Sequence, residues 1–259
     1  KSRFSIVALS ATSQDDRVLS IARQCHEVLS NRGIKVLIDK SLSKLKAKDL
    51  SIFSSDYLIS KSKLLIAIGG DGTMLNCSRN YGSRGIPILG INLGNLGFLA
   101  DIDPKDITSS LLRVIDGDFS EDKRFFLEGF VLGNKEKFLA LNEVVVHSGK
   151  VAQLIEFNLF IDDKFVYRQR ADGLIISSPT GSTGYSLSGG GPIVHPNVSS
   201  IILMPMLPHT LSTSPLLVEA GTKIRVELED QKAILSFDSH VNFPVKENST
   251  INISKASSS

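Results

Sequence analysis

Apolar and polar positions fall into two textures along this chain. Up to about residue 118, short continuous apolar runs alternate with stretches whose apolar residues recur at helical spacing. Residues 4–9, 34–38, 64–68 and 87–91 are runs of the kind that buried parallel strands show. Between the first two, residues 15–30 carry Val18, Leu19, Ala22, Cys25, Val28 and Leu29 at helical spacing and close on Asn31-Arg32-Gly33. Residues 40–48 are polar and Lys-rich, a solvated helix or loop, and residues 74–81 read as helical. Strands alternating with helices predict a doubly wound α/β domain over residues 1–118, a parallel sheet with helices on both faces.

From about residue 119 the helical spacing fades. Apolar segments at 125–132, 138–147, 156–161, 174–178, 223–228 and 234–237 are separated by turn formers such as Gly133-Asn134 and Asp162-Asp163. They predict a mostly β, sandwich-like domain over 119–240. Residues 241–259 are expected to return to the first domain, with the Ser-rich end at 254–259 disordered.

Composition narrows the partners. The 259 residues hold 29 basic and 27 acidic side chains, 7% aromatics and no Trp, a balance that argues against a nucleic-acid partner. Cys25 and Cys77 show no CxxC spacing and read as reduced thiols, which places the expectation in the cytoplasm. Apolar stretches such as 201–207 fall far short of the ~18 residues a membrane span needs, so no membrane partner is expected. Residues 1–9 precede Asp15-Asp16 and read as a first strand rather than a signal peptide.

Three constellations carry candidate chemistry. Gly69-Gly70-Asp71-Gly72-Thr73 follows an apolar strand, at the edge where open α/β sheets bind ligands. Glycines let backbone N–H groups approach phosphate oxygens, and a following helix N-terminus adds positive potential. The same loop is also compatible with a tight turn whose Asp caps the helix. No GxxxxGK[ST], GxGxxG or GxSxG pattern is present. The second constellation runs from Asp172 to Pro192 and contains Ser177-Ser178-Pro179-Thr180-Gly181-Ser182-Thr183-Gly184-Tyr185-Ser186-Leu187-Ser188. Such a loop offers many N–H and O–H donors, and Tyr185 offers a ring face; a flexible linker is the plainer alternative. The third is Asn142-Glu143 within the apolar run 138–147. Adjacent residues of a strand point to opposite faces, so one of the two heads for the core, unless it sits at an edge.

In this order and at these separations the three constellations resemble the motifs of the NAD kinase family. Pro208-His209-Thr210-Leu211-Ser212 and Phe237-Asp238-Ser239-His240 resemble two further segments, and the likeness extends from about Phe4 to Ile253. The resemblance implies that Asp71 is the general base for the 2′-hydroxyl of the adenosine ribose, with Gly70 and Gly72 close to phosphates. It implies that Asn142 and Glu143 bind the NAD ribose and phosphate region, and that Arg170 and Asp172 lie in the nucleotide pocket. Thr183, Gly184, Tyr185 and Ser188 would line the sites for adenine and nicotinamide riboside, with Gln153 and His240 also contacting nucleotide. Ser178 stands where Thr is usual, Gly184 and Gly189 where Ala is usual, and Ser214 where an Arg is expected before Pro215.

The resemblance further implies NAD and ATP as substrates, Mg²⁺ or another divalent cation carried mainly by the substrate phosphates, and a homo-oligomer, dimer or tetramer. No protein metal cage is legible in the sequence. Two rivals remain at this stage: a lipid kinase of the diacylglycerol or sphingosine type, which shares the Asp71 loop, and a non-catalytic NAD sensor, which would not need Asp71.

Overall fold

A computed structural model of the chain describes residues 3–45, 51–94, 97–150, 153–209 and 214–257. The chain divides into two compact units, Lys1–Asp122 and Lys123–Ser259.

In the first unit the elements run β1 (Ile6–Ala11), α1 (Asp16–Asn31), β2 (Lys35–Asp39), β3 (Ile52–Phe53), α2 (Ser55–Lys61), β4 (Leu64–Gly69), α3 (Asp71–Asn80), β5 (Ile88–Asn92) and α4 (Ile107–Asp116). The strands form one parallel sheet in the order β3-β2-β1-β4-β5. Alternation along the strands explains why both faces are covered. Val7, Leu9, Leu64, Ile66 and Ile68 face a core shared with α1 and α4, while Ala8, Leu65 and Ala67 face one shared with α2 and α3. Asp15 caps α1 by accepting the Val18 N–H at 2.9 Å, and Gly33, at φ +69°, turns the chain into β2. The polar segment after β2 is less solvated than expected. Lys40–Leu42 is a 3₁₀ turn with Leu42 fully buried, and Leu45 is buried too; residues 46–48 lie outside the described residues. Phe119 packs on Phe4, ring centroids 5.6 Å apart, within the first unit.

The second unit holds β6 (Leu127–Val131), β7 (Phe138–Ala140), β8 (Glu143–His147), β9 (Ile155–Ile161), β10 (Lys164–Ala171), β11 (Gly173–Ser177), α5 (Tyr185–Ser188), β12 (Ser200–Met206), β13 (Leu216–Glu219), β14 (Ile224–Leu228), β15 (Ala233–Phe237), β16 (Val241–Val245) and β17 (Thr250–Lys255). They build two antiparallel six-stranded sheets, β10-β9-β14-β17-β6-β7 and β13-β12-β11-β8-β15-β16. Phe157, Leu159, Val226 and Ile251 from the first meet Val144, Val146, Ile176, Leu203 and Phe237 from the second in one apolar core, as in a sandwich.

Three expectations are corrected here. Residues 241–255 do not return to the first unit: β16 pairs with β15, and β17 lies between β14 and β6. The Ser-rich end is ordered as far as Ser254 and Lys255 in β17, and the buried Ala256 donates its N–H to Phe126 O at 2.7 Å; residues 258–259 lie outside the described residues. The run 138–147 is two strands rather than one. β7 belongs to one sheet and β8 to the other, and the chain crosses between them at Leu141-Asn142.

Candidate active site

In the first unit's sheet the strand order reverses between β1 and β4, the position where ligands approach the carboxyl ends of open sheets. The glycine loop sits there. Thr73 Oγ1 and Thr12 Oγ1 are 2.6 Å apart, tying the end of β1 to the loop, and a Cβ on Gly69 would collide with Thr73. The helix begins at Asp71, three residues before the sequence pattern suggested, with Gly70 as its N-cap. Positions where Gly70 and Gly72 would carry a Cβ are open, which leaves backbone N–H groups at the N-terminus of α3 accessible to an anion. Asp71 is no idle cap. Its carboxylate accepts the N–H of Phe98 at 2.9 Å and of Leu99 at 3.1 Å, and Gly97 has no room for a Cβ beside it. A carboxylate has about four lone-pair directions, so two such bonds still leave capacity to take a proton.

In the second unit, everything centres on the crossing between β7 and β8. The crossing's carbonyls are satisfied by the Ser-rich loop that follows β11. Ser178 Oγ donates to Leu141 O at 2.5 Å, and Ser178 N donates to Asn142 O at 2.8 Å. Gly181 lies against the Asn142 carbonyl so closely that a Cβ would collide with it. The Thr180–Thr183 turn is thereby packed rather than linker-like, with Ser182 Oγ donating to Pro179 O and accepting the Val194 N–H. It leads into α5, where a Cβ on Gly184 would lie 3.2 Å from Glu143 Oε2 and 3.3 Å from Asn142 Nδ2.

The side chains at the crossing are left wanting. Asn142 Oδ1, Glu143 Oε2 and Ser186 Oγ are buried without a hydrogen-bond partner. Such atoms are costly unless a ligand completes them. Burial pushes the Glu143 carboxyl up to about 7; the neighbouring Asp238 charge adds to this, and the Tyr185 backbone N–H pulls the other way. A cavity of about 300 Å³ opens beside Tyr185, lined also by Val145, His147, Ser236, Ser239 and Asn242. Burial lowers the His147 pKa, Val145, Ser236, Ser239 and Asn242 carry no acid or base group, and the Tyr185 ring is 43% exposed beside them. That surface suits a flat, hydrogen-bonding ring.

The structure thus brings Asn142, Glu143, Gly184 and Tyr185 together, with Thr183 one residue away. Asp172 sits half-buried at the start of β11, whose register sets Gly173 opposite His147 and Ser177 opposite Glu143. Asp172 therefore lies past the far end of this strand pair, where Ser148 N approaches its carbonyl at 3.4 Å, and Arg170 is on β10 in the other sheet, so neither stands beside Glu143. Gln153, Arg170, Ser188, His240 and Ser214 are exposed. Sequence reading missed Asp238, the polar groups lining the cavity and the part played by Ser178, which keeps the hydroxyl a Thr would offer. Asp238 lay inside a quoted segment; period-two alternation through Val145 and His147 was the available signal for the cavity. Among the described residues, no group of three or more His, Cys, Asp or Glu is placed to hold a metal ion. No described helix is long and apolar enough to cross a membrane.

The fold and site define a two-unit protein with a nucleotide-type sheet edge, an open glycine loop at the start of α3 in one unit and buried, unpartnered oxygens in the other. Comparison with known proteins agrees. Residues 7–119 match the ATP-NAD kinase N-terminal domain and residues 141–259 the ATP-NAD kinase C-terminal domain. Relatives include the NAD kinase of Teredinibacter turnerae, 48% identical over 202 residues, covering 76% of this chain and 69% of that one. The NAD kinase of Marinobacter nauticus is 42% identical over 246 residues, 92% of this chain and 84% of the relative. Among solved structures, yeast NADH kinase complexed with NADH shares the fold at a TM-score of 0.88, 24% identity and coverage of 99% of this chain and 84% of that one. An NAD kinase from Archaeoglobus fulgidus in complex with ATP superposes at 0.79 with 29% identity, covering 98% and 91%. The chain belongs to the NAD kinase family.

Proposed function

We propose that this chain moves the γ-phosphoryl group of ATP onto the 2′-hydroxyl of the adenosine ribose of NAD, giving NADP. The observation that carries the reading is the pair of buried, unpartnered acceptors, Asn142 Oδ1 and Glu143 Oε2, beside Tyr185 and a cavity lined mostly by polar side chains. Adjacent acceptors of this kind suit ribose hydroxyls, and the cavity suits one of the dinucleotide's rings. A lipid kinase has no use for this arrangement.

In the proposed reaction Asp71 takes the hydroxyl proton as the oxygen attacks phosphorus, and the glycine loop with the α3 N-terminus steadies phosphate charge. A divalent cation, Mg²⁺ in the first instance, would travel with the substrate phosphates and neutralise their charge, with few protein ligands. A non-catalytic sensor is disfavoured by the built surroundings of Asp71, which such a protein would not require.

The test is direct. The purified chain with ATP, Mg²⁺ and NAD should yield NADP. Phosphorylation of a lipid with none of NAD would overturn the assignment.

A further inference from the structure

The turn that joins β15 to β16 is built against its own backbone preference. Asp238 and Ser239 occupy its two central positions at φ +47° and +54°, and His240 N donates to Phe237 O at 2.9 Å across it. Such turns favour Asn-Gly, Asp-Gly or Gly-Gly, so Asp238 suits its position while Ser239 stands where a glycine is preferred. A turn kept at a candidate site without its preferred glycine invites the question of what its side chains do there.

The Asp238 carboxylate answers it. Three consecutive backbone N–H groups donate to this one group: Leu141 to Oδ2 at 3.0 Å, Asn142 to Oδ1 at 2.8 Å and Glu143 to Oδ1 at 3.2 Å. The Asp238 N–H donates back to Glu143 O at 3.0 Å. Consecutive amides of a regular strand point to alternate sides, so turning all three to one carboxylate is what takes the chain out of one sheet and into the other. Asn142 and Glu143 ride on those amides.

We propose that Asp238 is a positioning residue for NAD: its carboxylate fixes the crossing between β7 and β8 so that Asn142 Oδ1 and Glu143 Oε2 stand together, unpartnered, for the ligand. Asp238 also sets the charge that Glu143 feels. Glu143 feels the Asp238 charge from the turn and the backbone N–H of Tyr185 from α5, and lies opposite Ser177 of β11. This inference rests on reading Asn142 and Glu143 as ligand contacts, but its key measurement does not need turnover.

Two variants separate a brace from a plain turn residue. Asp238→Asn keeps a residue that tolerates the left-handed region but loses the anion. Asp238→Gly relieves the turn and removes the carboxylate. Both should raise KM for NAD about tenfold or more, because charge-assisted bonds hold the contact pair, with kcat changed less. In both, the Glu143 carboxyl, followed by carbon NMR in the absence of ligand, should titrate at lower pH than in the parent chain. Unchanged KM with an unchanged Glu143 titration would overturn the proposal, as would equal losses of kcat and stability with that titration unmoved. Both variants leave the N–H groups of Leu141, Asn142 and Glu143 without their charged acceptor. If neither folds, Asp238→Glu decides, since it keeps the anion but displaces it by a methylene, so KM for NAD should rise and an unchanged KM would overturn the proposal. A parent chain without NAD kinase activity would sink the proposed reaction, and the NMR titration would still judge the brace.

Discussion

Asp71 is held by the amides of Phe98 and Leu99, and this changes what its replacement does. Asparagine keeps the size but turns one acceptor oxygen into a donor facing an N–H group, so Asp71→Asn loses the proposed base and one of the two loop anchors together. kcat should fall ~10²-fold or more, the scale of a lost general base. The amides of Phe98 and Leu99 should exchange hydrogen faster in the variant, while NAD affinity by calorimetry changes modestly. Near-parental turnover would move the base elsewhere. Glu143 behaves in the opposite sense. Its carboxyl is raised from 4.5 to about 7 in the folded chain, so the folded state binds more protons than the unfolded state between those values. Its favourable contribution is complete below the unfolded value and is lost as pH rises through about 7. Glu143→Gln has no charge to bury. Its thermal midpoint should therefore rise relative to the parent as pH goes from 5 to about 8; parallel curves would show that burial does not perturb this group.

At the scale of elements, the glycines near α5 are not equivalent. A Cβ at Gly181 would strike the Asn142 carbonyl, whereas one at Gly189 would meet Ser186 O, Met204 and Ile175 at 3.4–3.6 Å, ordinary contact, with φ at −77°. Gly181→Ala should destabilise the chain and weaken NAD binding together, because the β7–β8 crossing must shift. Gly189→Ala should leave binding alone and stabilise by about 0.4–1 kcal/mol through the unfolded state, measured by thermal denaturation. The contrast also marks where sequence reading reached its limit. Periodicity identified α1 and β4 because their apolar residues obey one rule from end to end. It joined β7 to β8 because both are apolar, and the switch of sheet is dictated by a carboxylate some hundred residues away in sequence. It left β10 unread because that strand carries mostly polar residues, Gln169 and Ala171 being its buried ones. In the site, the glycine loop and the Ser-rich turn were legible as types of residue in a given order. The unpartnered oxygens of Asn142 and Glu143 were not, since orphaned atoms exist only once neighbours have been placed.

At the scale of the molecule, pairing divides cleanly: the parallel sheet lies within Lys1–Asp122 and both antiparallel sheets lie within Lys123–Ser259. Each unit has its own apolar core of more than twenty buried residues in its largest cluster. The crossing, Asp238, the Ser-rich loop and the cavity all belong to the second unit, so the proposed contact pair is supported from within it. Residues 123–259 expressed alone should accordingly unfold cooperatively, with the Glu143 carboxyl still titrating near neutrality. That fragment should bind NAD more weakly than the full chain and turn over none, since Asp71 and the glycine loop are missing. Circular dichroism through a thermal ramp, carbon NMR of Glu143 and calorimetry with NAD test the three parts in turn. Non-cooperative melting would show that the second core depends on the first unit for its stability. A cooperative fragment whose Glu143 titrates at the ordinary value would show that the crossing needs the rest of the chain, and that the proposed NAD-binding pair is shaped only in the whole molecule.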